Sequence, residues 1–511
     1  MLPKTLFLLL FSLSTVTTLA QQQSKPNILF MMADDHAAHA VGAYGGRLAV
    51  VNPTPILDRL VAEGMRLDNV FVTNSICTPS RATLMTGQYS HVNGVTTLSG
   101  RIEPERQHLA RLIKDAGYET AMIGKWHLKE EPAAFDYYAV LPGQGSYFNP
   151  ILRVDGEGEW PNNAVRYAGY DSKHSSDVVT DLSLEWLKER DTSKPFFLMH
   201  HFKAPHDNFE NAERYDWLYE DIEIPEPISL RFQPDFGSEA TAEAGTSVSK
   251  RNTRRNMGHH MFVDQSLDSS AYTHVSYQRY MKKYLRTIKG IDDNIGRLLD
   301  HLEETGELDN TIIIYTSDQG FMLGEHDYID KRWMYEESLR VPFIVRYPDY
   351  VATSSTSDAI INNVDFAPTL LEMAGVQKPD FMQGDSFLSI IQGERPPADW
   401  KTSTYYRYWM HMTHHDNPAH YGIRTKDFKL IFYYGLPLDA PGALEAATQP
   451  GWELYDLRTD PQELRNVYNN SDYAEVVQQL KKELLELKAE IGDTDDKYPT
   501  LMERRQQYWD M

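Results

Sequence analysis

The sequence predicts an α/β fold, a large mostly parallel sheet sandwiched by helices, with a smaller C-terminal α+β domain that contains an antiparallel sheet. Three observations predict it. Apolar runs of buried-strand length recur at residues 27–33, 120–123, 195–199 and 311–316, with helical spacing between several of them, the rhythm of a parallel sheet covered by helices. Two of these runs empty directly into acids, Asp34 and Asp35 after the first and Asp318 after the last, which puts carboxylates where open α/β sheets carry their sites. Beyond about Gly384 the pattern changes to short tyrosine- and phenylalanine-rich strands at 405–408, 421–424 and 428–434, the last two an antiparallel pair. At 511 residues the chain exceeds the ~250–300 at which one core stops growing, and it divides into a leader at 1–20, a large domain at 24–384 and a subdomain at 385–511.

Net charge is −23, which excludes nucleic-acid binding by bulk attraction and makes local positive groups necessary in any anion site. Lys4, the apolar run 6–13 and Thr18-Leu19-Ala20 read as a secretory signal cleaved near Ala20, too short for a stable membrane span. The protein is therefore expected to be exported, periplasmic or secreted. Its one cysteine, Cys77, has no partner within the chain, an anomaly in an oxidising compartment that chemical conversion of the thiol would remove.

Taken in order, the elements carry their own chemistry. Asp34 and Asp35 are neighbouring like charges, unfavourable without a cation, and read as hard-metal ligands or as a polar turn of solvated acids. Residues 55–62 form a helix with Ile56, Leu57 and Leu60 inward, and 71–73 lead as a short strand into Cys77-Thr78-Pro79-Ser80-Arg81. There Thr78 is expected to cap a helix whose first residue is Pro79, leaving Cys77 just outside a helix N-terminus that favours an anion, with Arg81 reaching back to the same place. That is an anion-binding nucleophile elbow; the alternative is a buried free cysteine. Leu109, Leu112, Ile113 and Ala116 mark the next helix, and the strand at 120–123 delivers Gly124-Lys125-Trp126-His127-Leu128. Lys125 and His127, two apart in extended chain, share a face and offer a fixed charge and a proton-handling group to an anionic ester.

Residues 135–169 read as loops over the site, and the run at 195–199 ends in His200-His201-Phe202-Lys203-Ala204-Pro205-His206. Residues 211–274 form a long insertion or lid, notable only for Arg251 to Arg255, before a helix at 277–302 with an inward stripe from Leu285 to Leu302. The last long strand brings Asp318 and Gln319, completing an oxygen-rich set suited to Ca²⁺ or Mg²⁺ and unlike a Zn²⁺ site. His326 and Lys331 follow, with Arg332 read as structural or solvent-facing. In the C-terminal part, Arg407, His411, His414, His415 and Arg424 either offer charge and hydrogen bonds to a sugar or belong to a polar exposed loop.

Cys77-Thr78-Pro79-Ser80-Arg81 with Ala82-Thr83-Leu84-Met85-Thr86-Gly87 resembles the signature of the type I, formylglycine-dependent sulfatases, and Gly124-Lys125-Trp126-His127-Leu128 resembles their second signature. The resemblance extends from Pro26 to roughly Lys488. It implies an alkaline-phosphatase-like fold and conversion of Cys77 to formylglycine (3-oxoalanine) by a formylglycine-generating or equivalent maturation enzyme. It also implies one divalent cation, Ca²⁺ with Mg²⁺ as the alternative, at Asp34, Asp35, residue 77, Asp318 and Gln319. Arg81, Lys125, His127 and Lys331 would surround the sulfate, and His206, from the Ala-Pro-His ending, would protonate the leaving alcohol. Gln319 departs from the pattern, which has Asn or His there in many members.

The implied reaction is hydrolysis of a sulfate ester on a polysaccharide or oligosaccharide. One hydroxyl of the hydrated aldehyde attacks sulfur, and the other then expels sulfate with His127 as base. Two other readings stand beside it. A phosphoesterase of the same superfamily would act on a doubly charged ester that commonly benefits from more metal charge than one cation. A noncatalytic sulfated-glycan-binding protein would not need the intact nucleophile and ligand positions. The sequence specifies neither the sugar nor the oligomeric state.

Overall fold

The structure, a computed structural model, describes residues 25–166, 169 and 172–510, so the predicted leader at 1–20 lies outside the described residues. Its strands in chain order are β1 (Asn27–Asp34), β2 (Met65–Phe71), β3 (Glu119–Lys125), β4 (Tyr137–Leu141), β5 (Leu152–Val154), β6 (Ala164–Val165), β7 (Phe196–Pro205) and β8 (Thr311–Ser317). They continue with β9 (Met322–Leu323), β10 (Ile329–Asp330), β11 (Phe343–Arg346), β12 (Ser355–Asn362), β13 (Ser403–Tyr408), β14 (His420–Thr425), β15 (Phe428–Tyr433) and β16 (Gly451–Asp456). One ten-stranded sheet has the order β12-β2-β11-β8-β1-β7-β3-β4-β5-β6. Its centre, β8 through β4, is parallel, while β11, β5 and β6 run antiparallel to their neighbours, so the sheet is mixed with a parallel heart.

β1 lies in the middle of that heart and every residue of it is buried. Ile28, Phe30 and Met32 face one helical layer and Leu29, Met31 and Ala33 the other, which is why the run is apolar throughout instead of alternating. Each such large side chain contributes about 1.5–3 kcal/mol by leaving water. The first layer contains the helices Cys77–Thr86, His108–Asp115 and Phe366–Met373; the second contains Pro55–Glu63, Ser175–Glu189 and the later half of Ser269–Glu304.

The long helix starts earlier than its apolar stripe predicted, because the Asp268 side chain accepts from the N–H groups of Ser270 and Ala271 and caps it upstream. Its first half, through Tyr272, Tyr277, Tyr280 and Tyr284, packs against the insertion. Of the strand expected at 71–73 only Phe71 is in a strand: it ends β2, which begins at Met65 and pairs in parallel with β12.

β13 to β16 form a separate antiparallel sheet. The Ala474–Ile491 helix covers one face through Leu480 and Leu484. The other face, with Tyr406, Ile431 and Tyr433, packs on Phe71, Ile76, Trp333 and Tyr335, directly behind the start of the Cys77 helix.

Candidate active site

Register assembles the acids. Ala33 of β1 pairs with Ser317 of β8, so the residues just beyond each strand meet at one sheet edge. Carboxylate oxygens of Asp34, Asp35 and Asp318 lie within 4.8 Å of one another. The chain turns out of β1 with Asp35 at φ 74°, and its N–H donates to Asp318 Oδ1 at 3.1 Å. On the other side of β1, β7 pairs with β3, and Gly124 sits so close to its neighbour that a Cβ there would lie 1.9 Å from the His201 carbonyl oxygen. Glycine is thus required where β3 hands over to Lys125.

The nucleophile helix begins at Cys77 itself, with Ile76 before it and no side-chain cap. This corrects the expected start at Pro79: Thr78 is not the cap but lies inside the first turn, and its hydroxyl donates to the His127 carbonyl at 3.2 Å. All ten residues of the helix are buried, and its N-terminal dipole points into the cluster. Burial pushes the Cys77 thiol up to about 12 against the opposing charge of Lys331, so at neutral pH it is a protonated thiol and a poor nucleophile as cysteine.

Cations brace the acids. Arg81 Nε donates to Asp318 Oδ2 at 2.8 Å and Nη1 to the Lys125 carbonyl at 2.5 Å, while its Nη2 is buried without a hydrogen-bond partner. Lys125 pairs with Asp34 and donates to Gln144 Oε1 at 2.6 Å; Lys331 Nζ donates to both oxygens of Asp35, at 2.7 and 2.6 Å. His206 Nδ1 donates to the Asp207 carbonyl at 3.0 Å, which turns Nε2 towards Asp35 Oδ2, 4.0 Å away. His127 follows β3 in a left-handed conformation, φ 57°, rather than on an extended face with Lys125. Burial, then Lys125, holds both histidines well below the usual imidazole range.

The donor set fits a hard dication. Asp34 Oδ1 and Gln319 Oε1 are buried oxygens without a hydrogen-bond partner, and Gln319 Nε2 donates to Asp35 and lies 3.6 Å from Cys77 Sγ. Burial raises Asp35 to about 6 and Asp318 to about 8, against Lys331 and Arg81 respectively. Asp34 stays well below the usual range because Lys125, His206 and Arg81 together outweigh its burial. A bound dication would hold all three ionised at neutral pH.

Sequence reasoning missed several neighbours. Gln144 lies in an aperiodic loop, and His201 faces the Lys125 carbonyl at 3.2 Å. Lys203 lies over the Tyr147 ring with its pKa lowered to about 8 by burial and then Lys125. Arg332 is buried and paired with Asp330, whose Oδ1 is 3.5 Å from His415 Nε2, so it is not solvent-facing.

Three of the five suggested sugar contacts are corrected. Arg407 is fully buried and donates to Asp493 at 2.7 Å; Arg424 is held by Glu336 at 3.2 Å; His411 bonds the Ala446 carbonyl at 2.9 Å and accepts from the Ala419 N–H. Arg407 and Arg424 thus spend their charge on buried carboxylates, and both ring nitrogens of His411 are taken by the backbone. His414 is exposed, and His415 lines a cavity beside Asp207.

The sulfatase family profile matches residues 26–376, and the profile "N-sulphoglucosamine sulphohydrolase, C-terminal" matches residues 324–490. An N-acetylglucosamine-6-O-sulfatase of Bacteroides thetaiotaomicron is 39% identical, covering 96% of this chain and 92% of its own. An arylsulfatase of Clostridium perfringens is 28% identical over 92% of this chain and 96% of its own. The solved structure of BT4656 in complex with its substrate D-glucosamine-2-N,6-O-disulfate superimposes with a TM-score of 0.82 at 38% identity, covering 92% of this chain and 99% of that one. With a signature cysteine beside three carboxylates and a ring of cations, the chain belongs to the formylglycine-dependent sulfatases of the alkaline-phosphatase-like superfamily.

Proposed function

We propose that this sulfatase removes the 6-O-sulfate from N-acetylglucosamine or glucosamine units of a sulfated glycan, with Cys77 converted to formylglycine. The observation that carries the reading is the convergence of residue 77, Asp34, Asp35 and Asp318 with Arg81, Lys125 and Lys331 at one sheet edge. The sugar follows from 39% identity over nearly the whole chain to an N-acetylglucosamine-6-O-sulfatase.

Asp34, Asp35, Asp318, Gln319 and residue 77 would hold one divalent cation, Ca²⁺ in this reading. When bound, it supplies positive charge to the sulfuryl oxygens and lowers the proton affinity of the attacking hydroxyl. Arg81, through its Nη2, which makes no hydrogen bond and lies 3.7 Å from Asp34 Oδ1, and the two lysines orient the sulfate so that the hydroxyl of residue 77 lies in line with the departing alcohol. The attacking hydroxyl gives its proton up to solvent, and the bond from sulfur to the sugar oxygen breaks as the bond to residue 77 forms. His206 donates its Nε2 proton to that sugar oxygen. Because Nδ1–H is committed to Asp207, Nε2 carries a proton only in the imidazolium, and an arriving sulfate anion raises the depressed pKa towards that form. His127 then takes the proton of the second hydroxyl, the aldehyde re-forms and sulfate leaves.

Export after cleavage near Ala20 and pairing with a maturation enzyme belong to the same reading; among the described residues no helix is long and apolar enough to cross a membrane. The test is peptide mass spectrometry across residue 77 on protein made with a maturation enzyme, followed by sulfate release from a panel of monosulfated hexosamines, with an aryl phosphate alongside. Conversion with release from the 6-sulfate alone supports the proposal. Full conversion with no release from any 6-sulfated hexosamine, or faster phosphate release, overturns it.

A further inference from the structure

We propose that Arg254 and Arg255 form a subsite for a second anionic group of the substrate glycan, a sulfate or carboxylate beside the sulfate that is cut. Between residues 250 and 260 the insertion carries Lys250, Arg251, Arg254 and Arg255 and no acid, in a chain of net charge −23. The structure sorts these four charges into two kinds. Lys250 donates to the carbonyls of Gln265 and Leu267 at 2.8 and 2.9 Å, and Arg251 pairs with Asp327 at 3.1 Å over the Tyr328 ring, so both fasten the insertion down.

Arg254 and Arg255 instead line a cavity of about 360 Å³ together with Asp207, Thr246, His260 and His415. Their side chains are 79% and 45% exposed and share one carboxylate, Asp416, at 3.4 and 3.5 Å. Two guanidiniums against one carboxylate leave a positive charge and most of two donor forks uncommitted. Asp207, the one acid among the described residues that lines the cavity, is occupied by His260 at 3.0 Å.

Position decides what the cavity is for. Asp207 follows His206, the residue placed to protonate the leaving oxygen, and His415 lies 3.5 Å from Asp330, next to Lys331. The cavity therefore adjoins the leaving-alcohol side, where the remainder of the sugar must lie. Guanidinium forks match oxyanions in a bidentate way that neutral hydroxyls do not exploit, so the subsite favours densely charged glycans over singly sulfated ones.

The subsite rests on the sulfatase reading for its orientation, and the experiment separates the two. Mature, metal-loaded wild type, the double variant R254A/R255A and the charge-preserving R254K/R255K are compared on three substrates: glucosamine 6-sulfate, its N-sulfated derivative, and a 6-sulfated disaccharide with a neighbouring uronate. For R254A/R255A, KM on the N-sulfated sugar or on the uronate disaccharide rises about tenfold with kcat unchanged. KM on the monosulfated sugar stays within about twofold, and the difference shrinks at high salt. Whichever substrate responds identifies the group bound, and the lysine variant falls between wild type and alanine. Equal effects on all three substrates, or none, overturn the proposal. If wild type turns over none of them, the sulfatase reading has failed. Equilibrium binding of the same sugars then decides the subsite: a difference between wild type and R254A/R255A confined to the sugars with a second anion sustains it, and no difference overturns it.

Discussion

The backbone N–H of Asp35 donates to Asp318 Oδ1 at 3.1 Å although 283 residues separate them. Asp318 Oδ2 accepts from Arg81 Nε, so one carboxylate ties the ends of β1 and β8 to the nucleophile helix. Position 77 and the acid cluster are thereby held as one unit, the pre-organisation that an in-line transfer requires.

Removing divalent cations with a chelator should abolish turnover, and Ca²⁺ should restore it. Because the oxygen cluster exists only in the folded chain, added Ca²⁺ should also raise the melting temperature, with about 2.7 kcal/mol of stabilisation at a hundredfold excess over Kd. Scanning fluorimetry with and without Ca²⁺ is the check; an unchanged transition would remove the cation from this cluster.

Cys77→Ser should release at most one equivalent of alcohol per enzyme and then stop, because a serine sulfate ester has no second hydroxyl with which to expel sulfate. A rapid-quench time course with an aryl sulfate measures the burst. Sustained turnover by the serine variant would sink the diol mechanism.

His206→Ala should depend on the leaving group. On a sugar sulfate, whose alkoxide needs a proton, the rate should fall by about 10²–10⁴, and on 4-nitrophenyl sulfate by much less. Equal losses on both would make His206 a positioning residue only.

Asp493→Asn should cost about 3–5 kcal/mol of stability by leaving the buried Arg407 guanidinium without its counter-charge. Burial alone would raise Asp493, but Arg407 and then Lys488 hold it well below the usual carboxylate range. A depressed folded-state pKa contributes stability above the unfolded value, about 3.9, and loses it as pH falls towards the folded value. Melting curves should therefore show the gap between wild type and variant widest near neutral pH and closing below about pH 4.

Much of the site was legible because its information is local. Cys77-Thr78-Pro79-Ser80-Arg81 is contiguous, and Asp34, Asp35, Asp318 and Lys125 each sit where an apolar strand stops, so strand ends alone nominated them. The helix start was misread because Thr-Pro reads locally as a cap and a first helical residue, whereas the helix already begins at Cys77 and turns the Thr78 hydroxyl to the His127 carbonyl, 49 residues away. Arg407 and Arg424 looked like free positive charge because an arginine in a tyrosine-rich strand reads the same whether it meets water or a carboxylate.

By itself the sequence determined the parallel heart of the sheet, the signature cysteine and the acids at the strand ends, since hydrophobic period and strand termination are written in neighbouring residues. Only the tertiary structure decided which charges are committed. Arg251 and Arg254 are three residues apart, yet one has Asp327 to itself and the other shares Asp416 with Arg255 and faces a cavity. That division comes from packing between segments distant in the chain, where burial and the position of an opposing carboxylate set each charge's role, and neither is encoded within the span of a motif.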